Sequence, residues 1–293
     1  MGTLFGQLIV NRFLNTGKFT ELTRLLSEAA DKLGVFLKVY TNDELMPSLC
    51  GGRDLMPDEK PDFVLFYDKD IMLARGLEAR GYRLFNRADA IELCDDKSLT
   101  HMALGTRVPQ PVTYCAPFTY ENIGYNSADF IGRLFDELGS PVVIKEVCGS
   151  FGQQVYLAHS PLEAEAILKR AGGRRVIFQQ FIRESAGRDL RLNVVGGRVI
   201  AAMERFNEHG DFRANISNGG SMRRHIPTFE EEELAIRTAE ILGLDFCGVD
   251  LLVTESGPIV CEVNSNAHFR SIMDCTGVNA ADEIMAHIVS TVK

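Results

Sequence analysis

The sequence predicts an α/β protein in which a Rossmann-like N-terminal layer is followed by two α+β units. Three observations carry that prediction. From Leu4 to about Asp89, apolar strand-like runs alternate with helical patterns, which is the sign of a parallel layer. Turn-rich or proline-marked joints then fall near residue 92 and at Arg183-Glu-Ser-Ala-Gly-Arg188. With 293 residues, the chain is long enough for two or three compact units with substantial cores.

In the first unit, Gln7 to Val10, Phe36 to Tyr40 and Phe63 to Tyr67 read as strands and Thr20 to Leu33 as a helix. It has no Gly-x-Gly-x-x-Gly turn, so it offers little to a dinucleotide. Asp95-Asp-Lys97-Ser-Leu-Thr100 opens a short helix, and Val108-Pro-Gln-Pro111 ends it before an extended stretch. In the second unit, Val142-Val-Ile-Lys145-Glu-Val147 is a strand with one basic residue among apolar ones. It runs into the small-residue loop Cys148-Gly-Ser-Phe-Gly-Gln-Gln-Val155. A helix over Pro161 to Arg170 and a strand over Val176 to Ile182 complete the unit. The third has strands over Asp189 to Val195 and Val199 to Phe206, a helix over Phe229 to Leu242, a hairpin, and a last amphipathic helix over Ala280 to Val292. The expected units are thus residues 1–91, 92–184 and 185–293.

The hairpin is the most informative of these elements. Phe246 to Val253 and Ile259 to Asn264 are β-prone arms around the turn residues Thr254-Glu-Ser-Gly-Pro258. Folding about Ser256 sets Asp250 opposite Glu262, and the period of two puts Asn264 on the face of Glu262. Two opposed carboxylates among apolar neighbours resist burial unless positive charge lies between them. All-oxygen ligation suits Mg²⁺ or Mn²⁺, and Mg²⁺ commonly bridges to phosphates. Taken alone, the hairpin fits equally well two acids facing water on an edge strand.

Composition removes several other classes. A hydrophobic content of 45% with 24% charged residues is that of a globular protein. The net charge of -9 without a basic run argues against nucleic acid and anionic membrane as partners. No apolar run approaches a bilayer span, and a cytoplasmic location is expected. Seven cysteines without a Cys-x-x-Cys pair read as small packing residues rather than a disulfide frame or a structural zinc site. Cys148 is assigned no chemistry.

In chain order, Lys97, Lys145 ahead of Gly149-Ser150-Phe151-Gly152, the hinge-like Gln179-Gln180-Phe181-Ile182, Asp189-x-Arg191, Arg205, Arg213-Ala-Asn215 and the hairpin resemble the ATP-grasp superfamily. Within it they are most similar to the RimK-like glutamate ligases. The resemblance spans roughly residues 92 to 275, with a pre-ATP-grasp domain ahead of it, and implies two lobes clasping ATP with Mg²⁺ or Mn²⁺. Lys97 and Lys145 would meet the triphosphate, and Gly149 and Gly152 would let backbone N–H groups approach it. Ser150 would add a donor and Phe151 a lid. Backbone groups of Gln180 and Phe181 would read adenine, Asp189 the ribose, and Asn215 would sit beside nucleotide or metal. Arg205 and Arg213 would stabilise the transferring phosphoryl group. Asp250, Glu262 and Asn264 would hold the metal, and Arg191 would act there or pair with Asp189 or Glu204.

The implied activity joins a carboxylate to an amine through an acyl phosphate, releasing ADP and phosphate. Small molecules, peptides and carrier proteins are all open as substrates, as is a homo-oligomeric state. The alternative is a regulatory ATP-binding module without catalysis. Ala267-His268-Phe269 stands where related ligases often carry Pro-Gly, which leaves the acceptor open. Asn11, His225, His268 and Arg270 are the residues expected on the acceptor side.

Overall fold

The computed structural model describes residues 3–14, 16–149, 154–214 and 219–293. In the first layer, β1 (Phe5–Val10) pairs in parallel with β2 (Phe36–Thr41) and β3 (Phe63–Phe66), and β3 with the short β4 (Leu84–Phe85). Helix α1 (Gly17–Lys32) makes the β1–β2 crossover, and α2 (Ile71–Glu78) connects β3 to β4. All four side chains of β3 are buried, as expected of a central parallel strand covered on both faces.

Two short helices follow, α3 (Ala88–Asp95) and α4 (Lys97–Leu104), and the Asp96 carboxylate caps α4 by accepting the Ser98 and Leu99 N–H groups. A second sheet, with antiparallel pairings, has the order β5 (Thr113–Cys115), β8 (Val176–Gln180), β6 (Val142–Glu146), β7 (Val155–Ala158). Helices α5 (Phe130–Leu138) and α6 (Pro161–Ala171) accompany it. The third sheet runs β11 (Ser221–Arg224), β10 (Arg198–Phe206), β9 (Arg188–Val195), β12 (Phe246–Thr254), β13 (Gly257–Asn264), again antiparallel. Helix α7 (Phe229–Leu242) begins with a Thr228/Glu231 capping box and ends at a left-handed Gly243, both strong terminus signals. Helices α8 (Arg270–Thr276) and α9 (Ala280–Val292) close the chain.

The mixed α/β fold and the hairpin register agree with the sequence reading, while several short elements do not appear in it. Helices α2, α3, α5 and α8 and strands β7 and β11 have seven to nine or four residues, too few periods for a pattern to stand out. Two cores set the geometry of the site. One joins Leu8, Phe63 and Phe85 of the first layer to Phe246, Phe269 and Met285, so the first layer is packed directly on the end of the third sheet. The other packs Leu192, Val249 and Val263 of that sheet on Leu234 and Leu242 of α7 and Leu104 of α4. Among the described residues, no helix is long and apolar enough to cross a membrane.

Candidate active site

Antiparallel pairing assembles one row of side chains across the third sheet. Arg224 lies opposite Met203, Met203 opposite Arg191, Arg191 opposite Asp250, and Asp250 opposite Glu262. Directly opposed residues share a face, so this row contains both predicted carboxylates. Two residues along the same strands, Asp189 opposes Arg205, which adds a second charged pair on that face. Gly248 makes room for the row. A Cβ there would meet the Ala267 Cβ at 2.8 Å and the Arg191 Cδ at 3.1 Å, so only glycine lets Arg191 lie across β12 without displacing a neighbour.

Positive charge is supplied to the opposed carboxylates by the protein itself. Arg191 Nε donates to Asp250 Oδ1 and its Nη2 to Asp250 Oδ2 at 2.7 Å, while Arg205 Nη2 lies 3.0 Å from Oδ2. Arg205 also grips Asp189 with Nε and Nη2 at 2.6 and 2.8 Å. Burial opposes ionisation of Asp250, but Arg191 and Arg205 outweigh it and hold the carboxyl below its usual range. For Asp189 burial dominates and pushes the carboxyl up, with Arg205 pulling against it. Arg205 in turn is held charged, because Asp250 and Asp189 together outweigh its own burial. Arg191 therefore belongs to Asp250, rather than to Asp189 or Glu204. Glu204 instead takes Arg188 and Arg223.

Glu262 is the more accessible of the two opposed carboxylates, with a third of its side chain exposed and Lys97 Nζ 3.6 Å away. Among the described residues, no three His, Cys, Asp or Glu side chains are grouped to hold a metal ion. Asp250 is engaged by Arg191 and Arg205, and Glu262 is the more open of the two opposed carboxylates. Asn264, two residues from Glu262, keeps its Nδ2 buried without a partner among the described residues. The set fits a cation that takes most of its ligands from phosphate and water and one or two from carboxylate, the usual manner of Mg²⁺.

A cleft of about 860 Å³, counted to its open mouth, lies between the second and third sheets. Lys97, Lys145, Gly149, Gln180, Phe181, Asp189, Arg205, Arg213, Asp250 and Glu262 line it, so it gathers most of the predicted residues. Lys145 is buried, and among the described residues its Nζ has Cys261 Sγ, at 3.7 Å, as its hydrogen-bond partner and no carboxylate in ion-pair reach. A buried ammonium without a carboxylate calls for an anion. Lys97 Nζ donates to the Gly149 carbonyl at 3.1 Å, which ties α4 to the start of the glycine loop. Ser150, Phe151, Gly152 and Asn215 lie outside the described residues.

The arrangement refines two further expectations. The Gln180 N–H donates to the Val112 carbonyl at 2.9 Å, so that donor is spent within the sheet and only other backbone groups of Gln180 and Phe181 remain for a base. Arg213 is held by Asp211 through Nε and Nη2 at 3.0 and 2.8 Å while also lining the cleft. Of the acceptor-side residues, His225 bonds Glu231 at 2.7 Å, His268 reaches the Lys18 carbonyl, and Arg270 pairs with Glu21 and Asp274. None of these three lines the cleft.

His101 was missed by the sequence reading, which also gave Gln179 a place in the hinge-like motif but no role of its own. Gln179, buried and lining the cleft, donates through Nε2 to Thr113 Oγ1 at 2.9 Å and meets His101 Nε2 at 3.0 Å, while His101 Nδ1 meets Gln110 Oε1 at 2.7 Å. Burial lowers the His101 pKa to about 4, so the ring is neutral at pH 7 and presents Nε2 as an acceptor to Gln179. A lone His in an unremarkable helix carries no sequence signal of this kind.

Comparison with known proteins agrees with this geometry. A model of the RimK-like ATP-grasp domain matches residues 111–288. A protein of Teredinibacter turnerae named "Probable alpha-L-glutamate ligase" is 37% identical over 292 residues, covering 94% of this chain and 93% of that one. Human N-acetylaspartylglutamate synthase A is 33% identical over 290 residues, covering 92% of this chain and 72% of that one. The crystal structure of a RimK domain ATP-grasp protein from Sphaerobacter thermophilus superposes with a TM-score of 0.72 at 25% identity, over 96% of this chain and 98% of the other.

Proposed function

Because the chain belongs to the RimK-like ATP-grasp family and is an ATP-dependent carboxylate–amine ligase, we propose that it transfers an amino acid of the glutamate type onto a small-molecule or peptide carboxylate. The observation that carries the site assignment is the buried Lys145 ammonium, with no carboxylate in ion-pair reach among the described residues, facing the same cleft as the charge-compensated Arg205. Relatives named for α-glutamate ligation and for N-acetylaspartylglutamate synthesis support the amino-acid class.

In this reading ATP lies between the second and third sheets. Lys97 and Lys145 neutralise its phosphates, backbone groups of Gln180 and Phe181 meet the adenine, and Asp189 accepts from the ribose. Ser150, Phe151, Gly152 and Asn215 keep their proposed places around the phosphates. Glu262, with Asp250 and Asn264 beside it, would hold Mg²⁺, which would supply positive charge to offset that of the moving phosphoryl group. The substrate carboxylate attacks the γ-phosphate to give an acyl phosphate and ADP, and the amine then displaces phosphate to form the amide.

The protein's share is positioning and charge stabilisation. Arg205 uses Nε and Nη2 on the two aspartates, which holds its guanidinium rigid and leaves Nη1 as the nitrogen neither carboxylate occupies. Preorganised charge of this kind costs no reorganisation in the transition state. Arg213, anchored on Asp211, is the second arginine at the transferring group. The division into units 1–91, 92–184 and 185–293 belongs to the same proposal, and each of the three sheets takes its strands from one of these ranges.

The test is ADP release over a panel of carboxylates with L-glutamate and other amino acids as amines. With an ¹⁸O-labelled carboxylate, one label should appear in the released phosphate. AMP and pyrophosphate, or unlabelled phosphate, would overturn the acyl-phosphate route.

A further inference from the structure

We infer that Asn11, Asp68 and Asn266 form a recognition subsite for the primary ammonium group of the amine substrate. The inference rests on the glutamate-type reading above and assigns the place where that substrate is selected. Asn11 follows β1 and Asp68 lies two residues beyond β3, at the carboxyl ends of adjacent parallel strands (Ile9 opposite Phe66). Ligands of open α/β sheets gather at such ends. Asn266 lies two residues beyond the end of β13, the arm that carries Glu262. The shared core of the first layer and the third sheet thus brings the subsite to the end of the hairpin.

The chemistry of the corner is one-sided. Asp68 is buried, and its carboxylate accepts from Asn11 Nδ2 at 3.1 and 3.2 Å and from the Lys69 backbone N–H at 2.7 Å. No Lys, Arg or His side chain lies within ion-pair reach of it among the described residues. The Lys69 ammonium turns instead to Asp95. Asn266 donates through Nδ2 to the Asp68 carbonyl at 2.8 Å, while its Oδ1 is buried without a partner among the described residues. A buried carboxylate without a cation and a buried amide oxygen without a donor therefore sit on neighbouring residues. Each is costly as it stands. An ammonium group offers three donors and a positive charge in one compact group, whereas water offers two donors and no charge. Asn11 anchors the arrangement, since its Oδ1 accepts the Phe13 N–H while its Nδ2 holds both oxygens of Asp68.

The experiment is calorimetry of L-glutamate, with glutarate as the amine-free control, on full-length protein loaded with a non-hydrolysable ATP analogue and Mg²⁺. The native protein should bind L-glutamate more tightly than glutarate. Asp68→Asn, which keeps the shape, should lose roughly 10–100-fold in L-glutamate affinity, the span of a charge-assisted contact. Its affinities for glutarate and for the ATP analogue should be unchanged. Asn266→Ala should lose less in the same direction. Unchanged glutamate affinity in both variants, or an equal loss for glutarate, would overturn the subsite while leaving the ligase reading intact. Native protein that binds the ATP analogue but shows no preference for glutamate over glutarate would overturn the amine assignment and the subsite with it.

Discussion

Replacing Asp250 with Asn should destabilise the free protein strongly, whereas Glu262→Gln should not, although both lie on the same hairpin. Asp250 has 5% of its side chain exposed, and its partners Arg205 and Arg191 have 7% and 12%. The cluster holds two carboxylates, Asp189 and Asp250, against these two guanidiniums, so it is neutral as a whole. Asp250→Asn leaves one uncompensated buried positive charge. Breaking a buried pair from one side typically costs about 3–5 kcal/mol, and the remaining amide oxygen can still accept a hydrogen bond, which favours the lower end. At roughly 2–4 °C per kcal/mol for chains of this order of size, the melting midpoint should fall by about 6–12 °C. Glu262 is 32% exposed and meets Lys97 at 3.6 Å, so the surface-pair range of about 0–1 kcal/mol applies to Glu262→Gln.

Thermal unfolding followed by circular dichroism, without nucleotide or metal, separates the two. Adding Arg191→Met to Asp250→Asn should recover part of the loss, because it removes the orphaned charge. Equal small shifts in both single variants, or a further fall in the double variant, would refute the view of Asp250 as the hub of a buried, charge-balanced row.

Other outcomes follow from the same site. Glu262→Gln should abolish most metal-dependent ATP turnover while the fold persists, and normal turnover would remove Glu262 from the metal. Lys145→Ala and Lys97→Ala should each weaken binding of a non-hydrolysable ATP analogue at least about tenfold, the scale of one charge-assisted contact, as calorimetry would read. Arg213→Ala should lower kcat far more than it raises the dissociation constant for ATP, as expected of an interaction made mainly in the transition state. The folded pKa of His101, about 4, lies below the ordinary 6.5. The unfolded chain therefore takes the proton first as the pH falls. The resulting stability is complete above about pH 6.5 and is lost as pH drops toward 4. Denaturant titrations at pH 7, 6 and 5 should show a decline of about 1–2 kcal/mol from this group, absent in His101→Gln. An identical decline in that variant would assign it to other groups.

What could be read from the sequence was local. The register that opposes Asp250 to Glu262 follows from two alternating arms and a short turn, all within twenty residues, and it is present in the structure. Lys145 stood out because one cation interrupted an apolar strand, and the strand is buried as that pattern implies. The ordered motifs from Lys97 to Asn264 likewise pointed to the family that the comparisons support. Short helices such as α3 and α8 were illegible because fewer than three turns give a weak period.

Tertiary structure decided which charges neutralise which. Arg191 reaches Asp250 from a strand 59 residues away, and Arg205 bridges two aspartates on different strands. Asn266 meets Asp68 across 198 residues. No local pattern encodes such pairings, because an arginine on a β-strand has the same propensity whether its partner is water, a metal-binding carboxylate or a phosphate. Neighbouring strands in the folded sheet choose among these partners. For that reason the residue types of this site are visible along the chain, while the electrostatic state of Asp250 and the corner at Asp68 exist only once the sheets have packed.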